Sequence, residues 1–161
     1  MEDKALPFVP PFEPRELTDH AVNLANEALT VVALDPPGAG GAHHLYEIRG
    51  FDSGTNPSDP FLARYQKPAD HSTILFQNGP IKEVGVNGIT QEALLAIVID
   101  RLQCFQRGPF ACSENEQALQ NIGVALNYLK ARTRRRMAEG VEGTHTPNVE
   151  QGSTLHTDEA T

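Results

Sequence analysis

The chain is poor in the residues that would tie it to a membrane, to secretion or to a large aromatic core. It has no Trp, only 6% aromatic residues and two cysteines in 161 residues. No apolar run approaches the length needed to span a bilayer, and the Pro-rich, acidic start does not resemble a signal peptide. Two thiols, Cys104 and Cys112, do not make a disulfide framework. The sequence therefore predicts a single domain with tails, without membrane association and with reduced cysteines.

Positive charge is also scarce, with 13 basic residues against 21 acidic ones and a formal net charge of −8. Coating a long nucleic acid requires a broad basic face, so this balance argues against a polymeric nucleic-acid partner. Residues 81–136 nevertheless hold 8 basic and 5 acidic residues, whereas residues 1–80 hold 5 and 11. A small basic locus on an acidic protein fits a small polyanion.

Motifs of the common nucleotide enzymes are missing. There is no Gly-Lys-Ser/Thr triplet, so a P-loop is excluded. The glycine run at residues 36–42 lacks a third glycine at His43, which argues against a dinucleotide fingerprint and favours a turn between strands, with a backbone-amide ligand loop as the alternative. His43 and His44 are adjacent, which is poor spacing for one metal. We predict no catalytic residues, no metal and no cofactor.

The most informative stretch present is a helical hairpin near the C-terminal end. Thr90 can cap a first helix, which Gly108 and Pro109 would stop. Ser113 and Glu116 have the spacing of a capping box for a second helix. Antiparallel helices joined by a short turn lie side by side, so the end of the second should return beside the start of the first.

The second helix ends in a cluster of basic residues, namely Lys130, Arg132, Arg134, Arg135 and Arg136. Arg132 and Arg136 are four apart, and Arg135 lies a turn from Arg132, so at least two guanidinium groups could converge on one anion. Amides near Gly88 and Thr90 at the first helix N-terminus, approached through Asn87, would complete an anion site. The alternative is a solvated helix end whose cations complement the helix dipole.

The preceding residues predict a small antiparallel sheet. Strands are expected at residues 29–35 and 44–50, with residues 61–65 as a third strand or edge, and a short helix at residues 17–29. Residues 73–77 and 80–84 flank Asn78-Gly79, which indicates a β-hairpin. Phe76 and Tyr65 could stack on a base, although strand aromatics are more often core. The predicted fold class is α+β, a small antiparallel β-sheet followed by a C-terminal antiparallel two-helix hairpin.

We expect three parts in the chain. Residues 1–16 form a Pro-rich arm without helix or sheet, residues 17–143 form one ligand-sequestering domain, and residues 144–161 form a disordered acidic tail. Within the domain, residues 17–86 are the β-rich part and residues 87–139 the helical hairpin.

The first hairpin helix is apolar more than halfway round. Leu94 and Ile97 widen its face beyond what one partner helix covers, so it should bury against the sheet or another copy of the chain. A structural or interaction protein using this face is the alternative function.

The motifs GPIKE, GVNG and GPFAC-x-EN, followed by ARTRRR and GVEGTH, resemble the hairpin domain shared by phage counter-defence proteins. Those proteins sequester cyclic nucleotide signals of the bacterial CBASS and Thoeris immune systems. The segment LTVVALDPPGAGGAHHLYEIRGF is similar to the small β-sheet part of the anti-Thoeris branch, so the resemblance spans roughly residues 29–145.

The resemblance implies a sponge and not an enzyme. It implies an oligomer, commonly a hexamer, acting in the cytoplasm of the infected bacterial host. The ligands would be cyclic ADP-ribose isomers, cyclic di- or trinucleotides, or both, held without cleavage. Matching by placement suggests Arg132 and Arg136 for the phosphates, with Phe76 and Asn87 as further ligand contacts.

Overall fold

The structure, a computed structural model, describes residues 11–22, 24–67 and 69–147. The expectations for residues 1–10 and 148–161, which hold most of the predicted arm and tail, lie outside the described residues. The described residues divide into two units, one with those up to 79 and residues 86–94, the other with residues 80–85 and those from 95 to 147. The domain limits at 17 and 143 stay a prediction.

The first unit is built on a four-stranded antiparallel sheet in the order β1-β2-β3-β4. The strands are β1 (Arg15–Leu17), β2 (Thr30–Ala33), β3 (Leu45–Arg49) and β4 (His71–Leu75). Val31 and Val32 are β-branched, which suits a pleated and partly buried surface. The sheet predicted from the alternation of apolar segments and turn formers is confirmed.

Asp35 holds the glycine-rich connection between β2 and β3. Its carboxylate accepts hydrogen bonds from the main-chain N–H groups of His44, at 3.0 Å, and Leu45, at 2.9 Å. A carboxylate that accepts main-chain N–H groups fixes a loop more strongly than a neutral acceptor would. The reading of residues 36–42 as a turn between two strands is confirmed.

Three local expectations in this unit are wrong. β1 pairs with β2, so the part of the arm that reaches residues 15 and 16 is strand. The helix expected over residues 17–29 shrinks to α1 (Leu24–Glu27), because residue 17 already belongs to the sheet. Residues 61–65 are not a strand, because Pro60 in the first turn favours α2 (Asp59–Leu62).

The β-hairpin expected around Asn78-Gly79 is also wrong. Pro80 has no N–H to donate to a ladder, and it instead precedes the short helix α3 (Ile81–Val84). The partner of this end of the sheet comes from farther along the chain, where Ile89 forms a parallel bridge with Phe76.

The hairpin helices are α4 (Gln91–Arg107) and α5 (Ser113–Ala138). The Thr90 cap is confirmed, since its hydroxyl accepts from the Ala93 N–H at 3.2 Å. The capping box at Ser113 is wrong, because Cys112 occupies the cap position without a side-chain bond to the helix N–H groups, and the Ser113 hydroxyl donates to Glu114. A hydrogen bond from its own main-chain N–H, with further bonds from the side chains of Ser113 and Cys112, lowers the pKa of Glu114, which suits a carboxylate in a helix's first turn.

The Gln106 side chain closes the turn between the two helices. Its carboxamide accepts from the Cys112 N–H at 3.0 Å and donates to the Cys112 carbonyl at 3.1 Å. It also lies 3.2 Å from a carboxylate oxygen of Glu116. Gln106 therefore fastens the end of α4 to the start of α5.

The half-buried stripes of both helices follow the helical period. They include Leu95, Ile99 and Leu102 on α4, and Leu119, Ile122, Leu126 and Leu129 on α5. Spacings of three and four residues put each set on one face of its helix. Neither helix has a fully buried residue, so a single chain covers these faces only in part.

Gly88 provides a test of how closely the residues before α4 approach the sheet. A Cβ at this position would lie 2.3 Å from the Phe76 carbonyl carbon and 2.4 Å from its oxygen. We predict that Gly88→Ala lowers the free energy of unfolding by about 1–3 kcal/mol, measured by chemical denaturation. Gly123→Ala is the control, because it meets nothing within 4 Å in the middle of α5 and should stabilise the chain by about 0.5–1 kcal/mol. Equal effects of the two variants would contradict the close approach.

Candidate functional site

The predicted ligand residues fall into two groups, one in each unit. Phe76, Asn87, Gly88 and Thr90 form the loop group in the first unit, and Arg132, Arg135 and Arg136 form the arginine group in the second. The prediction that both meet at one ligand stays a prediction.

In the loop group, the Asn87 side chain pairs with the main chain of Asn78, as a residue of a neighbouring strand would. Its Oδ1 accepts from the Asn78 N–H at 2.9 Å, and its Nδ2 donates to the Asn78 carbonyl at 2.8 Å. Its own N–H donates to the Gln77 Oε1 at 2.9 Å. Both ends of the carboxamide thus hold the loop to the end of β4, a role the sequence analysis did not foresee.

The main chain beside Asn87 is paired in the same way. The Ile89 N–H donates to the Leu75 carbonyl, and the Gln77 N–H donates to the Ile89 carbonyl, both at 2.9 Å. An amide that was expected to face an anion at this helix N-terminus is therefore used by the sheet. Asn87, Gly88 and Thr90 stay predicted ligand residues.

Phe76 stands at the junction of the sheet and this loop. Its ring is half-buried and lies edge to face with Tyr46, with centroids 5.6 Å apart and planes at 87°. Its N–H donates to the His44 carbonyl at 2.7 Å. The other aromatic weighed for stacking, Tyr65, is 88% exposed, so its interpretation as a core residue is wrong.

In the arginine group, the Arg136 side chain binds the turn that follows α5. Its Nε donates to the Glu142 carboxylate at 3.0 Å. Its two terminal nitrogens donate to main-chain carbonyls, at 2.9 Å to Val141, 3.3 Å to Thr144 and 3.0 Å to Thr146. The side chain is only 14% exposed. This guanidinium is a structural clasp, and residues 144–146 of the predicted tail are held by it.

The helix end has the geometry that such a clasp needs. Gly140 adopts a φ of 71°, which ends α5 in the left-handed region, and the Val141 N–H then donates back to the Arg136 carbonyl at 3.0 Å. The chain reverses at this point, so the carbonyls that follow can reach the Arg136 side chain.

Charge compensation comes from beyond the helix. The sequence has no acidic residue between Asn127 and Ala138 to neutralise the arginines, but Glu142 pairs with Arg136 and the Glu139 Oε1 lies 3.9 Å from the Arg135 Nε. The Arg135 Nε is buried and makes no hydrogen bond. Arg132 is exposed. Whether Arg132, Arg135 and Arg136 bind a ligand stays a prediction, with Arg132 the most accessible of them.

The turn after α5 is also tied to α3. The Lys82 N–H donates to the Gly143 carbonyl at 3.3 Å, and the His145 Nε2 lies 3.4 Å from the Glu83 carboxylate. The sequence offered no periodic signal for this contact, because it joins residues about sixty positions apart.

A separate concave surface of about 550 Å³ lies on the sheet near Glu47, Arg49 and His71. Its charges are already paired with one another, since Arg49 contacts Glu47 and Asp70 contacts His71. The hydrogen bond from His71 lowers the pKa of Asp70. None of the predicted ligand residues lines this surface, so it is not the candidate site.

Comparison with known proteins bears on the segment that contains both the loop group and most of α5. The sequence pattern of the Acb2/Tad1 hairpin domain matches residues 68–134. Residues 68–134 are therefore similar to the Acb2/Tad1 hairpin domain. The resemblance inferred from GPIKE, GVNG and GPFAC-x-EN is thereby confirmed for this segment, and the remainder of residues 29–145 stays a prediction.

The chain is also similar to Thoeris anti-defense 1 of Bacillus phage SBSphiJ7, at 49% identity over 74 residues. The match covers 46% of this chain and 52% of the phage protein. The chain thus spans about half the length of that relative. Among the described residues, no cluster of His, Cys, Asp and Glu could hold a metal ion, and no helix is long and apolar enough to cross a membrane.

We predict that Arg136→Ala unfolds the turn after α5. Loss of a largely buried guanidinium with several acceptors should lower the free energy of unfolding by about 2–3 kcal/mol and expose residues 141–147 to limited proteolysis. Arg134→Ala is the control, because Arg134 is exposed on the same helix and should change stability by less than about 0.5 kcal/mol. Unchanged proteolysis of Arg136→Ala would contradict the clasp.

Proposed function

We propose that this chain is a phage counter-defence protein that binds cyclic nucleotide immune signals and withholds them from Thoeris or CBASS effectors. The observation that carries this proposal is its 49% identity to a phage protein named for anti-Thoeris activity, over 74 residues. The similarity of residues 68–134 to the Acb2/Tad1 hairpin domain supports it.

The two groups of predicted ligand residues supply the chemistry that such signals call for. Cyclic ADP-ribose isomers and cyclic di- or trinucleotides combine phosphates with purine bases. Guanidinium groups such as that of Arg132 bind phosphate oxygens strongly, and an aromatic ring such as that of Phe76 stacks on a base. We propose binding without cleavage, in the cytoplasm of the infected host.

We also propose that the working form is a homo-oligomer, with a hexamer suggested by the family resemblance. The buried apolar residues of the described chain are Val32 and Ala33, which make a small core. Large apolar side chains remain uncovered on both hairpin helices, such as Ile97 at 60%, Val124 at 53% and Tyr128 at 75% exposure. A second copy would cover such a patch.

The first test is calorimetry with cyclic ADP-ribose isomers, cyclic di-AMP, cyclic di-UMP and cyclic tri-AMP. We expect at least one of them to bind with a Kd below about 1 μM, because a sponge must compete with an effector at low signal concentration. Heating the complex should release the ligand with unchanged mass. No binding to any member would overturn the proposal, and a changed mass would indicate an enzyme.

The second test reverses one charge at a time on α5. Arg132→Glu should weaken binding of the tightest panel ligand by at least about tenfold, because it replaces phosphate attraction with repulsion. Arg134→Glu is the matched control, since it makes the same change two residues away, on another face of the helix. Native mass spectrometry should show the same assembly for both variants. Equal loss of affinity in both would mean that only general charge is involved.

An alternative function, a structural or interaction protein using the face near Leu94 and Ile97, is favoured by the 60% exposure of Ile97. Under this alternative, Arg132→Glu leaves phage fitness in a Thoeris-bearing host unchanged, whereas Ile97→Asp abolishes it. A sponge loses its protective effect with Arg132→Glu.

A further inference from the structure

Tyr46 lies beside the one aromatic residue among the predicted ligand contacts. In the register of β3 and β4, Tyr46 is directly opposite Ile74. Side chains two apart in a strand share a face, so Phe76 is on the same side of the sheet as Ile74 and diagonal to Tyr46. The edge-to-face contact of the two rings, with centroids 5.6 Å apart, follows from this diagonal placement.

The main chain of Phe76 is held from both sides. Its N–H bonds to the His44 carbonyl, and the next residue's N–H bonds to the Ile89 carbonyl. Gly88 lies so close that a Cβ there would reach the Phe76 carbonyl carbon at 2.3 Å. With the backbone held in this way, side-chain rotation remains as the main freedom of Phe76, and Tyr46 is the ring that restricts it.

We propose that Tyr46 is a positioning residue that holds Phe76 as a flat platform for a purine base of the bound ligand. This inference rests on the proposed function and adds a base preference to it. A ring restrained before binding loses less conformational freedom when the base stacks, so the restraint increases affinity. The gain should be larger for adenine than for uracil, because a purine presents the larger stacking surface.

The contact needs the ring of Tyr46 and not its hydroxyl. Tyr46→Phe therefore keeps the platform, whereas Tyr46→Ile removes the ring and introduces a β-branched residue that suits the strand. Phe76→Leu removes the platform itself. These three variants separate positioning from stacking and from sheet stability.

The experiment measures the affinity of the chain for cyclic di-AMP and for cyclic di-UMP, which carry the same phosphates and differ in their bases. For the wild-type chain we expect tighter binding of cyclic di-AMP and a fall in its absorbance near 260 nm on binding. Phe76→Leu and Tyr46→Ile should weaken cyclic di-AMP binding about tenfold or more, remove this absorbance change, and affect cyclic di-UMP much less. Tyr46→Phe should behave as wild type.

Each remaining outcome counts against a specific claim. The positioning role is overturned if Tyr46→Ile binds cyclic di-AMP with wild-type affinity, or if it loses affinity equally for both ligands. Loss of binding in Tyr46→Phe overturns it as well, and this variant decides the question if Tyr46→Ile does not fold. If the wild-type chain binds the cyclic ADP-ribose isomers or cyclic tri-AMP but not cyclic di-AMP, the proposed function survives and the adenine platform in this form does not. Failure of the whole panel overturns the proposed function.

Discussion

The short pairing between Phe76 and Ile89 is the constraint on which the arrangement of the first unit depends. It lets the chain leave the sheet after β4, form α3 and return to the sheet's end just before α4 begins. Asn87 extends the pairing with its side chain, and Gly88 permits the close approach. The residues just before α4 are thus attached to the sheet's end by hydrogen bonds.

Hydrogen bonds and ion pairs also hold the end of α5. A run of arginines on one helix would repel itself, and the chain compensates with carboxylates placed just past the helix end. Arg136 also satisfies carbonyls of a turn that has no regular secondary structure. A cationic cluster that looks like a ligand site is therefore partly a structural device. For this reason the residues in it are not equivalent, and Arg132 is the one whose exposure suits contact with an outside anion.

A small core and half-covered helices are consistent with a protein that completes its apolar contacts with further copies. In the described part of the chain, side-chain hydrogen bonds hold several of the connections between helices and strands. Examples are the Asp35 carboxylate at the β2–β3 connection, Gln106 at the hairpin turn and Asn87 beside β4. Each of these side chains replaces a main-chain partner that the loop itself lacks.

The sequence by itself determined the elements whose signals are local. The helix limits at Thr90 and Gly108 and the strands around Val32 and Tyr46 were readable from spacing and composition, whereas the family motifs were recognised by resemblance. Tertiary structure decided the rest. Pro80 turned an expected hairpin into α3, and Asn87 and Arg136, both predicted as ligand contacts, found partners within the chain. Side-chain hydrogen bonds of this kind leave no periodic trace, because any polar side chain at those positions reads equally well as facing solvent or a ligand until the chain is folded.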